Sequence, residues 1–161
     1  MNLTLRRARP VDLAYIHRLE HDPRNAPYIN PWTRRQHLES LKDRDTLLLI
    51  AESGGSRVGF VFLRGLKRPD RIVEFKRIVI EGKGRGFGRA ALRLLQGIAF
   101  GRLKARRLWL DVKGFNTRAR ALYRSEGFVE EAELREVYRR NGRYHPHVIM
   151  GKLRREYRAR D

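Results

Sequence analysis

At 161 residues, with 37 Lys and Arg against 18 Asp and Glu, the chain carries a formal charge of +19. The length suits one domain with a real core, and the longest purely apolar run, Leu47 to Ala51, is too short to span a membrane. With no cysteine, disulfides, thiolate metal sites and a cysteine-bound acyl intermediate are excluded.

The start of the chain lacks the apolar core of a signal peptide, so a cytoplasmic protein is expected. The positive charge attracts polyanions. It reads either as an arginine-rich, solvated surface or as the footprint of an acidic protein, ribosomal or nucleic-acid partner.

Leu3 to Ala8 alternates as a half-buried strand does. Pro10 and Asp12 then open a helix through about Glu20, with Leu13, Ile16 and Leu19 on its inner face. His17 and His21 have the spacing of a helical metal pair, but no further ligand accompanies them, and solvated histidines are expected. After a proline-broken loop from Asp22 to Pro27, Thr33 and Gln36 form a capping box for a second helix through about Lys42. Trp32 would anchor that helix to the core. Thr46 to Glu52 and Arg57 to Leu66 are strands joined by the hairpin signal Ser53-Gly54-Gly55-Ser56.

The next stretch is the most informative. Val73 to Ile80 ends in the β-branched run Ile78, Val79 and Ile80 and reads as a buried strand. Gly82, Gly84, Gly86 and Gly88 follow. A helix to about Gly101 comes next, with Ala91, Leu92, Leu94, Leu95, Ile98 and Ala99 as its apolar stripe. A strand passing through a glycine turn into a helix N-terminus is an anion site, because free N–H groups and the helix dipole point the same way. A phosphate-bearing ligand is expected there. Two nucleotide motifs fail on spacing. Gly88 is followed by Arg89-Ala90 rather than Lys-Ser or Lys-Thr, and the third glycine of a dinucleotide fingerprint would fall on Arg89 or Phe87. Lys83 to Arg107 holds eight basic residues and no acidic one, a rim suited to phosphates.

Arg107 to Val112 is the next strand, and a strand–helix–strand unit of this length predicts a parallel pair with its ligand at the carboxyl ends. Asn116 is an N-cap, Ala119 and Leu122 share a helical face, and Gly127 is a C-terminal stop. Glu130 to Tyr138 and Tyr144 to Lys152 are the last strands, with a hairpin turn at Arg140-Asn141-Gly142-Arg143. His145 and His147 flank Pro146 without the acidic or thiolate company of a metal site, so no metal is expected. Arg154 to Arg160 reads as a solvated basic tail.

Lys83-Gly84-Arg85-Gly86-Phe87-Gly88 resembles the Gln/Arg-x-x-Gly-x-Gly/Ala loop of GNAT-type N-acetyltransferases. Lys83 stands where Gln or Arg is usual, and the Pro that commonly precedes the loop is missing. About 30 residues on, Asn116 to Phe128 resembles the fourth helix and following strand of the same superfamily in its series Asn-x-x-Ala-x-x-Leu-Tyr-x-x-x-Gly-Phe. From Gly127 through Met150 the chain is similar to the branch containing ribosomal-protein N-terminal and spermidine N-acetyltransferases. The resemblance implies an α/β layered fold: a single GNAT-like domain over residues 1–161, with a mixed sheet of about seven strands, about four helices, and parallel fourth and fifth strands splayed at the acetyl-coenzyme A site.

It also implies roles. Acetyl-coenzyme A is the co-substrate, its pyrophosphate held by the loop amides of Arg85, Gly86, Phe87 and Gly88, with Lys83, Gly84, Arg89 and Asn116 also binding the cofactor. Its pantetheine arm would pair along Ile78, Val79 and Ile80. Tyr123 would give a proton to the departing thiolate; the plainer alternative is a core tyrosine. Glu74, a carboxylate among apolar strand residues, is either the base that neutralises the amine or a salt-bridge partner of an arginine. Tyr28, Trp32 and the loop before them would cover the acceptor. The charge favours a peptide or protein N-terminal α-amine over a polycation. The alternatives are a small-molecule amine (polyamine, amino acid or aminoglycoside) or a non-catalytic basic module. A homodimer is also compatible with the family.

Overall fold

Strand β2 (Thr46–Ser53) turns Leu47, Leu49 and Ala51 to one core and Leu48 and Ile50 to another, all of them buried. A strand apolar on both faces needs cover on both. The computed structural model describes residues 2–158 and supplies that cover as helices on either side of one sheet. Helices α1 (Leu13–His21) and α2 (Arg34–Lys42) lie on the Leu48 side, where Leu13, Ile16 and Leu19 meet Phe60 and Phe62. Helices α3 (Phe87–Gln96) and α4 (Thr117–Ser125) lie on the other, where Ala91, Leu92, Leu95 and Tyr123 meet Val61, Leu63 and Phe75.

The remaining strands are β1 (Leu3–Arg7), β3 (Ser56–Arg64), β4 (Ile72–Ile80), β5 (Arg107–Lys113), β6 (Val129–Arg140) and β7 (Arg143–Leu153). The sheet has seven strands in the order β1-β2-β3-β4-β5-β7-β6. Every neighbouring pair is antiparallel except β4 and β5, which are parallel. Both hairpins turn on residues with positive φ at the two central positions, Gly54-Gly55 and Asn141-Gly142, as two-residue hairpin loops require. The Thr33–Gln36 capping box forms, and the Asn116 side chain accepts from the Ala119 amide at 3.2 Å.

Two expectations needed correction. The helix after the glycine turn keeps α geometry only to Gln96 and then widens into a π-helical turn over Gly97–Arg102. The widened turn presents the Phe100 carbonyl, which accepts from the Arg154 guanidinium at 2.7 Å. The tail is therefore not simply solvated: Arg154 makes that bond and Tyr157 stacks on Phe100 with ring centroids 5.0 Å apart. The end of the expected tail, Ala159 and Arg160, lies outside the described residues. Among those residues no helix is long and apolar enough to cross a membrane.

Candidate active site

Two irregularities coincide on β4. Its pairing with β3 slips between Phe62–Arg77 and Leu63–Phe75, which leaves Lys76 as the extra residue of a bulge. Its parallel pairing with β5 covers only Ile72–Arg107, Val73–Leu108 and Glu74–Trp109. Beyond that last pair the strands part, and a cleft of about 650 Å³ opens, within the range of small-ligand sites.

One wall is the end of β4, Ile78 to Ile80, continuing into the glycine turn. Gly82, Gly84 and Gly86 have φ of 66°, 90° and 80°, the left-handed region that glycine enters without a Cβ penalty. Gly86 is the N-cap of α3, so the turn delivers its free amides at the positive end of that helix. The opposite wall is α4, with Asn116, Leu122 and Tyr123. The loop between α1 and α2 closes the far end: Tyr28 packs on Phe115 with centroids 5.4 Å apart, and Lys113 donates to the Pro27 carbonyl at 3.2 Å.

The Tyr123 ring lies edge-on to Phe75 at 5.8 Å and close to Phe128 at 6.1 Å. Burial, and then the charge of Asp111, push its phenol well above the ordinary value. It therefore stays protonated at neutral pH and is available as a proton donor. Asp111 is the one carboxylate lining the cleft among the described residues. Its Oδ2 accepts from Nδ1 of His147 at 2.8 Å.

Basic groups surround it. Burial, then Arg64, lowers the Lys76 ammonium, and burial lowers the Arg77 guanidinium. Arg77 pairs with the fully buried Glu20, which also pairs with His37, and it donates to the Asn30 carbonyl at 2.6 Å. Trp32 packs edge-on to Phe62 at 5.0 Å and against His37 of α2 at 5.5 Å, so it anchors that helix to the core as expected.

The likeness to known proteins follows this geometry. Residues 2–129 match the family model described as an acetyltransferase (GNAT) domain. The chain belongs to the GNAT acetyltransferase family. As a member it is an N-acetyltransferase that takes its acetyl group from acetyl-coenzyme A. It is 29% identical over 164 residues to the spermidine N(1)-acetyltransferase of Vibrio cholerae serotype O1, covering 96% of this chain and 95% of that one. A crystal structure of the Vibrio cholerae spermidine N-acetyltransferase with CoA and spermine superposes with a TM-score of 0.86 at 29% identity, over 96% of each chain. The N-alpha-acetyltransferase RimI of Mycobacterium tuberculosis is 34% identical over 116 residues, 70% of this chain and 71% of its own.

Most of the residues expected in a GNAT site do line the cleft: Ile78, Val79, Ile80, Lys83, Gly84, Gly86, Phe87, Gly88, Arg89, Asn116 and Tyr123. Within that set, Arg89 also bonds Ser125 at the end of α4 and Glu126, its C-cap, and Lys83 donates to the Arg24 carbonyl at 3.3 Å. Two do not line it. Arg85 lies over the Phe87 ring at 4.8 Å. Glu74 sits level with Trp109, before the strands part, and pairs with Arg64; the salt-bridge alternative describes its place. Asp111 and His147 were not anticipated in this role. The alternation of Leu108, Leu110 and Val112 into the core puts Asp111 on the opposite face, and that pattern was legible. In the sequence His147 stands out only as one of two histidines flanking Pro146, and no group of three or more His, Cys, Asp or Glu suited to a metal occurs among the described residues. His17 and His21 stack on each other at 4.0 Å.

Proposed function

We propose that this N-acetyltransferase acts on a small-molecule primary amine, with the polyamines named for its relatives first among the acceptors. The observation that carries the reading is the cleft at the β4/β5 splay, which runs from the glycine turn to Tyr123 and to Asp111, the one carboxylate among its described lining residues. The pyrophosphate of acetyl-coenzyme A would rest on the turn amides, and its thioester would lie between β4 and α4. Attack by the neutral amine forms the N–C bond, and the C–S bond then breaks. Tyr123 gives its proton to the departing thiolate and regains one from the acetylated nitrogen. Holding amine and thioester together supplies much of the acceleration.

The acceptor class is supported by the nearly full-length coverage of the spermidine N-acetyltransferases. That likeness favours the small-molecule alternative over the peptide α-amine suggested by overall charge. The peptide reading keeps one supporting observation: among the described residues Lys76, Arg77, Lys83, Arg89 and Arg118 line the cleft against a single carboxylate, Asp111.

The test is steady-state acetylation of spermidine, an amino acid, an aminoglycoside and an N-terminal peptide, each with saturating acetyl-coenzyme A. Spermidine is expected to give the highest kcat/KM, and Tyr123→Phe to lower kcat by roughly ten- to ten-thousand-fold with coenzyme A affinity intact. A peptide that outperforms every small amine would overturn the acceptor assignment. Unchanged turnover in Tyr123→Phe would remove Tyr123 from the mechanism.

A further inference from the structure

An amine attacks a thioester through its lone pair, yet at neutral pH a primary aliphatic amine arrives as an ammonium ion. Something in the cleft must receive that cation and relieve it of a proton. Glu74 cannot do so from its position, since it pairs with Arg64 before the strands part. Asp111 is two residues beyond Trp109 on β5, where the cleft is open, and its charge reaches the Tyr123 phenol.

We infer that Asp111, held in place by His147, binds the acceptor ammonium and takes its proton before attack. This rests on the acetyl-transfer reading above. His147 is on β7 opposite Lys113, with only 8% of its surface exposed. Its Nδ1 faces Asp111, while Nε2 has no hydrogen-bond partner among the described residues. A carboxylate oxygen can only accept, so Nδ1 carries the proton of this bond and donates it to Asp111. Asp111 is thereby fixed through Oδ2, and Oδ1 remains for the substrate.

The protons balance. One N–H bond of the ammonium breaks as an O–H bond forms on Asp111, and the freed lone pair attacks the thioester carbon. The C–S electrons leave with sulfur, which takes the Tyr123 proton. Tyr123 is restored by the second nitrogen proton, and Asp111 releases its proton to solvent. Asp111 and Tyr123 thus hold opposite ends of the reacting centre, one for the amine and the other for the thiolate. His147 touches neither substrate and acts as a positioning residue.

Other charged and titratable groups face the couple. Lys76 and Arg77 come from β4, Tyr123 from α4, and Lys113 from β5 itself. From β6, the Tyr138 ring lies 5.2 Å from that of His147, and Arg140 acts on Lys113. None of them is a carboxylate that would substitute for Asp111.

The experiment compares the wild type with Asp111→Asn, His147→Asn and His147→Leu, using spermidine, or else the panel amine turned over best. kcat/KM is followed over the pH range where the amine is protonated, with coenzyme A affinity measured by calorimetry. In the wild type the ammonium delivers its own proton to Asp111, so the profile should be flat. Asp111→Asn must wait for the neutral amine, so its rate should be lower by about 10²- to 10⁴-fold near pH 7 and rise about tenfold per pH unit. Asn at 147 keeps an N–H near the place of Nδ1 and should retain most activity. Leu, similar in shape but without the donor, should lose it; a purely structural role would not separate the two. An Asp111→Asn variant that binds coenzyme A and keeps a flat profile would overturn the inference while leaving the acetyl-transfer reading intact. A wild type that turns over no amine in the panel would overturn both.

Discussion

A Cβ added at Gly88 would stand 3.7 Å from Cδ2 of Leu122, an ordinary van der Waals contact, and Gly88 is already inside α3. The fold itself therefore has no need of glycine at this position. Gly86 is different, because its φ of 80° strains any substituent there. Gly88→Ala consequently separates folding from binding better than Gly86→Ala. If the first-turn amides carry the pyrophosphate, Gly88→Ala should keep the wild-type Tm within a few degrees and weaken coenzyme A binding by about tenfold or more. Calorimetry on the folded variant is the check, and wild-type affinity would place the phosphates elsewhere. The glycine turn was legible in the sequence because its spacing is a local property. The carboxylate was not. Alternation marks Glu74 and Asp111 alike as carboxylates on strands whose neighbours are apolar. Only the point at which β4 and β5 part decides which of them lines the cleft, and that depends on pairing between residues 35 positions apart in the chain, as Ile72 is from Arg107.

At the scale of elements, capping and turn chemistry predicted the order of helices and strands, while the links between elements came from ion pairs that no local pattern reveals. Arg77 carries the cleft wall into the helical layer through Glu20 on α1. Arg6 on β1 binds Asp12 at 2.8 Å, and the same carboxylate accepts from the Arg9 amide at 2.8 Å, fastening the first strand to the entrance of α1. Arg6, followed by that backbone bond, holds the Asp12 carboxyl below the usual range, at about 2, against the opposing effect of burial. A carboxyl whose folded value is depressed adds stability above its unfolded value, near 4, and loses it as the pH falls toward about 2. Since Arg6 is partly exposed, screening keeps the contribution at or below about 2 kcal/mol. Asp12→Asn should therefore lower Tm at pH 7, and the gap between variant and wild type should close between about pH 4 and pH 2. A gap that persists at pH 2 would mean that Asp12 acts by something other than its charge.

Over the whole molecule, the +19 charge and the polyamine reading pull against each other. Inside the cleft the conflict is smaller than the residue count suggests, because Arg77 is paired with Glu20 and Arg89 with Glu126. Bound acetyl-coenzyme A adds phosphate charge to the same region. The long-range field is another matter, since it sums over the full surface and a polycation meets it before it reaches Asp111. Salt shortens that field, from a Debye length of about 30 Å at 0.01 M to about 8 Å at 0.15 M, and weakens a short contact inside the cleft much less. With acetyl-coenzyme A saturating, so that its own salt-sensitive binding does not enter, kcat/KM for spermidine should rise over that interval by roughly two- to tenfold. An acidic peptide amine, drawn in by the same field, should show the opposite slope. Rates measured for both acceptors across the salt series decide the matter. If spermidine slows as salt is added, acidic groups near the cleft outweigh the net charge, and capture is governed locally at all distances that count.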